Sequence, residues 1–344
     1  MASRSSQFAL RYFALIAASL PLHLPAATPS AVDSMYYFGN GDPATSDGFL
    51  MVDFLAAAFN LPSPNADFGQ RQTFDYDVAA AMDDAFFYRS GLTAGFRIGN
   101  RSLHSQFVSF SDSLDSLCSS PQECKSKLRN SVFVLDQIGS SDYQYSFLNG
   151  KSLKESYGLV DSVVFTTQYI VQKLIEMGAT KVLVTGTLPM GCLPGYLTIL
   201  GNPRRNDYLS YDRHGCLASM NTFSRVHNDH LQSALSKLRS LHPDVEIAFG
   251  DTYKAFTAVL RNHVLLGFKK DEMFKACCGS SRAGGRGVEF NFDPAKVCGK
   301  QGLRVCEDPS TRLSWDGFHL TQEAMKLVVD GLFVGERRSG LLLG

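Results

Sequence analysis

Apolar residues recur along the chain in two patterns, and the first has the period of a helix. It predicts helices over residues 49–61, 159–177 and 221–241, and a final helix that begins after Thr321. The first of these ends at Pro62. Asn221 and Thr321 are candidate N-caps, because their side chains can accept a hydrogen bond from the first helical turn.

The second pattern consists of short runs, rich in β-branched or aromatic residues, that lie between the helices. Residues 131–138, 181–185 and 245–249 form such runs, and each is followed by a glycine. Short buried strands that alternate with longer helices predict an α/β fold with a parallel sheet covered on both faces. In such sheets ligands bind beyond the carboxyl ends of the strands, so candidate chemistry is expected there.

Composition narrows the class of protein. The 344 residues include 33 Lys and Arg against 33 Asp and Glu, and 44% of the residues are hydrophobic. A chain with no net charge lacks the electrostatic basis for binding a nucleic acid, and its apolar content is sufficient for a core. We therefore expect a globular enzyme or binding protein with no nucleic-acid partner.

The N-terminus predicts export from the cell. Two arginines precede an apolar stretch over residues 12–27, which ends in small residues. Prolines interrupt this stretch, and it is shorter than the ~20 apolar residues that a membrane-spanning helix needs. We predict a signal peptide over residues 1–27, a single domain over residues 28–344, no transmembrane segment and a secreted mature protein.

The eight cysteines agree with export, since an even count in a secreted chain indicates disulfides. Their spacings contain no paired C-x-x-C set, so we predict no metal site. Spacing alone leaves the connectivity open. The sequon Asn100-Arg101-Ser102 predicts a glycan on Asn100.

Candidate chemistry stands near the C-terminus, where Asp316 precedes His319 by three residues. One loop can present both side chains at this spacing. His319 would be a general base, and Asp316 would fix the imidazole tautomer and support its protonated form. The alternative is an incidental surface pair, but the position of the loop, just ahead of the final helix of an α/β chain, favours the catalytic interpretation.

The surrounding segment, Trp315-Asp316-Gly317-Phe318-His319-Leu320-Thr321, resembles the last conserved block of the plant GDSL esterases/lipases, which belong to the SGNH hydrolase superfamily. Further blocks resemble that family in the same order, over residues 35–335. They include Met35-Tyr36-Tyr37-Phe38-Gly39, Ser46-Asp47-Gly48, Pro121-Gln122-Glu123-Cys124, Leu188-Pro189-Met190-Gly191-Cys192, Ala276-Cys277-Cys278-Gly279 and Cys306-Glu307-Asp308-Pro309.

The resemblance implies a flavodoxin-like three-layer α/β/α fold and a Ser-Asp-His mechanism without a cofactor. The substrates would be carboxylic esters of lipids or acylated metabolites. Asp316 and His319 match the Asp and His of the family's catalytic triad. The resemblance also implies local disulfides such as Cys118–Cys124 and Cys192–Cys216.

The nucleophile of that family is missing. The family carries it in a Gly-Asp-Ser block on the first strand, which the resemblance places upstream of residue 35, and the chain contains no Gly-Asp-Ser. In the most similar string, Gly41-Asp42-Pro43, proline has no hydroxyl. Ser46 falls in the following block, where we expect it to cap the first helix. The sheet would then lack its first strand, unless residues 34–38 take that place.

Two further positions depart from the family. Ala80 stands at a glycine position, and Ser141 replaces the asparagine of a Gly-x-Asn-Asp block. Both positions supply oxyanion donors, and the loss of one donor typically costs about 10²–10³ in rate. Two hypotheses stay open: an esterase whose chain lacks an early segment, through deletion or a misjoined gene model, and a catalytically inactive paralogue that serves as a secreted binding protein.

Overall fold

Strands and helices alternate along the chain in the computed structural model, as the two hydrophobic patterns predict. The structure describes residues 32–62, 79–92, 101–201, 210–280, 287–296, 298 and 303–336. The predicted signal peptide and the sequon residue Asn100 lie outside these ranges.

The central sheet, as far as the described ranges show it, has four parallel strands in the order β1-β2-β3-β4. The strands are β1 (Ser34–Phe38), β2 (Ser131–Leu135), β3 (Lys181–Thr185) and β4 (Glu246–Gly250). Every residue of β2 is buried, as expected of a strand covered on both faces. A separate antiparallel ribbon pairs β5 (Cys278–Gly279) with β6 (Arg304–Val305).

Strand β1 occupies the place that the sequence left in doubt. It pairs in register with β2, from Ser34 opposite Ser131 to Phe38 opposite Leu135. The rings of Tyr36 and Phe38 pack edge-on against Phe110. An aromatic run gains both ladder hydrogen bonds and buried ring contacts in this position. Of the two outcomes that the sequence left open, a missing strand or residues 34–38 as a strand beside β2, the structure has the second.

Two groups of helices give the three-layer α/β/α fold. In one group α3 (Leu103–Leu117), α6 (Leu153–Met177) and α8 (Ala218–Leu241) pack side by side. In the other, α11 (Gln322–Glu336) packs on α1 (Met51–Ala58) and α9 (Thr252–Arg261). None of the helices within the described ranges is long and apolar enough to cross a membrane. The helices are α1 (Met51–Ala58), α2 (Asp84–Arg89), α3 (Leu103–Leu117), α4 (Pro121–Arg129), α5 (Ser140–Leu148), α6 (Leu153–Met177), α7 (Pro194–Leu200), α8 (Ala218–Leu241), α9 (Thr252–Arg261), α10 (Gly287–Phe290) and α11 (Gln322–Glu336).

One of the predicted helix caps is confirmed. Thr321 directly precedes α11, and its hydroxyl oxygen accepts the N–H of Ala324 at 3.4 Å. Ser46 does not cap α1. Its hydroxyl donates to the carbonyl of Phe49 at 2.9 Å, because α1 begins only at Met51, too far along the chain for Ser46 to reach its first turn.

The prediction that Asn221 caps a helix is also wrong, because α8 begins earlier and Asn221 lies inside it. The buried amide of Asn221 instead accepts the N–H of Gly191 at 3.0 Å and donates to Asp212 at 3.1 Å. These bonds attach α8 to the segment that follows β3, where the loops at the carboxyl edge of the sheet begin.

Candidate active site

The loop between Ser314 and Thr321 presents the two residues that the spacing singled out. His319 Nδ1 lies 2.7 Å from Asp316 Oδ2, and the second carboxylate oxygen accepts the backbone N–H groups of Phe318 and His319 at 2.9 and 2.8 Å. The backbone bonds hold the carboxylate still, and the carboxylate in turn orients the imidazole. This is the contact that a general base requires of its partner.

The electrostatics of the pair favour its charged form. Burial lowers the pKa of His319, but the charge and hydrogen bond of Asp316, with a smaller effect of Asp42, raise it further, so the net pKa lies above the ordinary value. Burial raises the pKa of the Asp316 carboxyl, but His319 and the backbone donors lower it to below the usual value. Asp316 therefore stabilises an imidazolium at His319.

Two disulfide-bonded cysteines hold this loop in place through backbone hydrogen bonds. Neighbouring Cys277 and Cys278 donate their backbone N–H groups to the carbonyls of Ser314 and Trp315, at 2.9 and 2.6 Å. Trp315, the only tryptophan of the chain, packs against the cystines. The loop is thus attached to a covalently cross-linked ribbon.

All eight cysteines are paired, as expected of an exported chain. Two pairs implied by the family resemblance are confirmed, and two more close the ribbon behind the loop. The four disulfides are Cys118–Cys124, Cys192–Cys216, Cys277–Cys306 and Cys278–Cys298.

His319 borders a cleft at the carboxyl ends of the strands, with a cavity volume of about 70 Å³. The apolar part of its wall includes Leu50, Met51, Leu188, Met190, Tyr196 and Phe318. The polar part includes Asn40, Thr45, Asp136, Ser140, Ser141 and Thr187. Such a mixture of apolar walls and a few convergent polar groups is typical of a site for a small organic molecule.

The turn after β1 reaches the same cleft. Asn40 donates from Nδ2 to the hydroxyl of Thr45 at 3.2 Å, and that hydroxyl donates to the carbonyl of Asp42 at 2.7 Å. The indole N–H of Trp315 donates to the carbonyl of Ala44 at 3.1 Å. The turn after β1 and the loop that carries His319 are therefore held beside each other.

The imidazole nitrogen that would accept a nucleophile's proton is His319 Nε2. In the described part of the chain no hydroxyl is hydrogen-bonded to it. The hydroxyl of Thr45 is engaged with Asp42, and that of Ser46 with Phe49. The geometry thus contains an oriented base without a serine or threonine of the described residues bonded to it.

The two predicted oxyanion positions lie on neighbouring segments, but only one of them borders the cleft. Ser141 borders the cleft, where its hydroxyl oxygen accepts the N–H of Ala79 at 3.1 Å. Ala80 is fully buried and its carbonyl accepts the N–H of Leu103 at 2.8 Å. Ala79, and not Ala80, is the alanine that borders the cleft.

Sequence reasoning missed two buried carboxyl groups. Asp142 accepts the backbone N–H groups of Ala81 and Met82 at 2.7 and 2.9 Å and so fixes the segment around Ala80, while burial raises its pKa to about 7 against the effect of these bonds. Asp136 follows β2 directly and borders the cleft. Its position just after a buried strand was a signal that pointed to this edge.

Within the described ranges, no group of three or more His, Cys, Asp or Glu side chains is arranged to hold a metal ion.

A parallel sheet between two helical layers, with an Asp–His pair on a late loop at its carboxyl edge, is an arrangement that also occurs in α/β hydrolases with a serine triad. Comparison with known proteins agrees. The family model for the GDSL-like lipase/acylhydrolases matches residues 33–332, and the chain belongs to that family.

Individual relatives are similar over most of their length. A GDSL esterase/lipase of Arabidopsis thaliana is 32% identical over 330 residues, which cover 93% of this chain and 80% of the relative. Acetylajmalan esterase 1 of Rauvolfia serpentina is 35% identical, with 83% and 73% covered, and sinapine esterase of Brassica napus is 33% identical, with 84% and 74% covered. Ester hydrolysis is thus the activity that family membership implies.

Proposed function

We propose that this chain is a secreted GDSL protein that binds small carboxylic esters in the cleft beside His319 and does not form a covalent acyl-enzyme. The observation that carries the proposal is the imidazole of His319, which is oriented by Asp316 at 2.7 Å and has no hydroxyl hydrogen-bonded to it in the described residues. Without an adjacent nucleophile, the two-step covalent route is closed.

The turn after β1 supports this interpretation. The resemblance alone implies a position upstream of residue 35 for the Gly-Asp-Ser block of the family. Because β1 takes a strand position beside β2, we instead place that block in the turn after β1, at Gly39-Asn40-Gly41. Glycine then stands at the serine position. Asn40 on one side borders the cleft, and Asp42 on the other is near enough to His319 to raise its pKa. Pro43, the alternative position, is exposed.

The size of the cleft supports small esters over long-chain lipids. A buried water needs at least about 10–15 Å³ of comparable volume, so a cavity of about 70 Å³ has room for a group of some five heavy atoms. That is the size of an acetyl ester. A longer acyl chain would have to extend out of the cavity toward solvent.

An active esterase that follows the Ser-Asp-His mechanism of the family is the second candidate. The intact contact between Asp316 and His319 favours it, since this geometry serves catalysis. In that case a serine outside the positions discussed above would supply the nucleophile.

A fluorophosphonate probe separates the two candidates, because a serine activated by a histidine displaces its fluoride and stays labelled. We expect no labelling of the purified protein and only background hydrolysis of p-nitrophenyl acetate. We also expect saturable binding of p-nitrophenyl acetate, followed by NMR, which His319→Ala weakens. Labelling that disappears on Ser141→Ala or Ser46→Ala, or a turnover well above background, would overturn the proposal.

Secretion and glycosylation belong to the same proposal. Four disulfides favour an oxidising compartment, as the predicted signal peptide over residues 1–27 does. A C-terminally tagged copy should appear outside the cell without residues 1–27, as one domain over residues 28–344. It should lose mass on deglycosylation unless Asn100→Gln is present. An unprocessed cytosolic copy would contradict the localisation.

A further inference from the structure

Two exposed aromatic side chains stand one turn apart on α6. Phe165 is 68% exposed and Tyr169 is 45% exposed. Asp161 precedes the pair by four residues, and Lys173 follows it by four. Because residues four apart on an α-helix lie on the same face, the four side chains form one row, in the order Asp161, Phe165, Tyr169, Lys173.

This row, the α6 row, lies on the side of the helix away from the core. Exposed apolar side chains that stand alone are ordinary, whereas two rings on consecutive turns form one continuous apolar surface, which is typical of an interaction site. The buried face of α6 consists of Ser156, Leu159, Val160, Val163, Val164, Thr167, Ile170, Val171 and Leu174.

The charged ends of the α6 row form exposed ion pairs. Asp161 Oδ1 lies 3.0 Å from Nδ1 of His230, and Lys173 Nζ lies 2.7 Å from Oε2 of Glu176. Lys173 Nζ also lies 5.5 Å from the centroid of the Tyr169 ring. Solvent screens exposed pairs of this kind, so each contributes little to stability, and either end can exchange its partner for another of the same charge.

The α6 row is complementary to itself. A two-fold axis midway between Phe165 and Tyr169 places each residue of one copy opposite the residue equally far along in the other copy. Asp161 then meets Lys173 at both ends of the row, and Phe165 meets Tyr169 in the middle. Opposite charges and aromatic rings are thus matched at every position of the row.

Helix packing permits this arrangement. In the commonest class of helix contact, rows of residues four apart on one helix fit between the rows of the other, and the axes cross at about 50°. That crossing makes the two rows parallel, so that they touch along their length. The same two-fold axis places Glu176 opposite Gly158, where an added Cβ would meet no heavy atom within 4 Å, which leaves room for the longer side chain.

We propose that α6 forms a symmetric dimer interface with a second copy of this chain through the α6 row. A second copy is the partner that the row itself specifies, because any other protein would have to present the same two charges in reverse order around an apolar centre. Dimerisation is separate from ester binding, since no residue of the α6 row borders the cleft beside His319. A row of four side chains makes a small interface, so the dimer is reversible.

Sedimentation equilibrium of the purified protein over a wide range of concentrations tests the proposal. We expect a monomer–dimer equilibrium whose Kd rises several-fold when the salt is raised from about 0.05 to 0.5 M, because salt screens the charged ends. Phe165→Ser should raise the Kd at least about tenfold. Leu265→Ser removes an apolar side chain that is 87% exposed on the turn after α9, and should leave the Kd unchanged.

Charge reversal tests the two-fold pairing. Asp161→Lys places two lysines opposite each other at both ends, and Lys173→Asp does the same with two aspartates, so each variant alone should associate at least about tenfold more weakly. Mixing the two variants pairs every lysine with an aspartate and should restore association. The double variant, Asp161→Lys with Lys173→Asp, should dimerise by itself like the wild-type protein.

Each other outcome contradicts the proposal. A wild-type protein that stays monomeric at all concentrations would overturn it without reference to any variant. Association that Phe165→Ser leaves unchanged would place the interface elsewhere, and association that ignores both charge reversals would overturn the two-fold pairing. A monomer that sediments with phosphatidylcholine vesicles, and loses this property on Phe165→Ser, would assign the α6 row to a lipid surface. Ester binding would stand in all these cases.

Discussion

Two loops face each other across the cleft, and they differ in how much of the hydrolase chemistry they keep. The loop of Asp316 and His319 has both side chains in contact and is clamped by two disulfides. The turn after β1, where we place the family's nucleophile block, offers only Asn40, Gly41 and Asp42, and none of these has a hydroxyl. The comparison teaches that the two loops are held together whether or not both carry a catalytic side chain.

The hydrogen bonds between the two regions show that the scaffold is intact. Apart from the bond from Trp315 to Ala44, the backbone N–H of Gln322 donates to Asp47 at 2.7 Å, and the side chain of Gln322 accepts the N–H of Phe49 at 3.2 Å. These bonds fix the start of α11 against the turn. A serine placed in the turn would therefore lie near an imidazole that is already oriented.

The largest effect is expected from returning a nucleophile to the turn. Gly41→Ser with Asn40→Asp restores Gly-Asp-Ser after β1, and the backbone of Gly41 lies outside the positive-φ region, so serine can adopt its conformation. We expect fluorophosphonate labelling and a rise in p-nitrophenyl acetate hydrolysis of about 10²–10⁴ over the wild-type protein. Adding His319→Ala should abolish both.

A matched control tests where the nucleophile belongs. Pro43→Ser places a hydroxyl two residues further along, on an exposed position, and turns residues 41–43 into the Gly-Asp-Ser string that the sequence alone suggested. We expect no labelling of this variant. Labelling of Pro43→Ser in place of Gly41→Ser would show that the family block aligns with residues 41–43.

The second largest effect is expected on stability, from removing a disulfide that holds the His319 loop in place. Removing the disulfide Cys277–Cys306, which closes a separation of 29 residues, by Cys277→Ala with Cys306→Ala should lower the free energy of unfolding by about 3–4 kcal/mol. Cys118→Ala with Cys124→Ala, at a separation of 6, should cost about 2 kcal/mol.

Tryptophan fluorescence gives this comparison a local readout. The single tryptophan, Trp315, packs against the Cys277 and Cys278 cystines and reports on the loop. Its emission should shift to longer wavelength in the Cys277/Cys306 variant and stay in place in the Cys118/Cys124 variant. An unchanged emission in both would show that the His319 loop holds its position without the clamp.

A smaller effect is expected from the oxyanion side. In the restored background, Ser141→Asn should raise ester hydrolysis by about tenfold, because an amide donor would border the cleft where a hydroxyl now accepts the N–H of Ala79. The matched change Ser140→Asn, at the neighbouring position of the same wall, should have no such effect. Equal gains from the two variants would show that position 141 is no better placed than position 140 to supply an oxyanion donor.

The sequence predicted the elements of the fold well because their patterns are local. The periods of α6 and α8 and the runs of β2, β3 and β4 follow from spacing, and so does the contact of Asp316 with His319 three residues later. The place of β1 did not follow in this way, since its pairing joins residues almost 100 positions apart in the chain.

The residues that the sequence did not single out and the helix caps that it predicted wrongly have the same cause. Asn221 is hydrogen-bonded to the distant residue Gly191, and Asp142 to Ala81 and Met82. Asp136 accepts hydrogen bonds from Tyr37 and Thr185, which lie on the neighbouring strands. A local pattern contains no information on such partners. For a buried polar side chain, the tertiary partner decides the role.

The smallest effect is the pH dependence of stability that the Asp316–His319 pair contributes. The pKa of His319 is raised, so its share is complete below the ordinary histidine value of about 6.5 and is lost as the pH rises through the folded-state pKa. The pKa of Asp316 is lowered, so its share is complete above about 3.8 and is lost as the pH falls further. The pair therefore stabilises most strongly near pH 5.

His319→Gln should accordingly lower the free energy of unfolding by about 1–2 kcal/mol at pH 5 and by much less at pH 9, as measured by urea titration. The second His–Asp pair, on the surface, is the control. His230 and Asp161 lie 3.0 Å apart, with side chains 48% and 88% exposed, against 29% and 16% for His319 and Asp316. His230→Gln should change stability little at either pH, because solvent screens an exposed pair. Equal losses from the two substitutions would mean that burial in the cleft does not strengthen the Asp316–His319 pair.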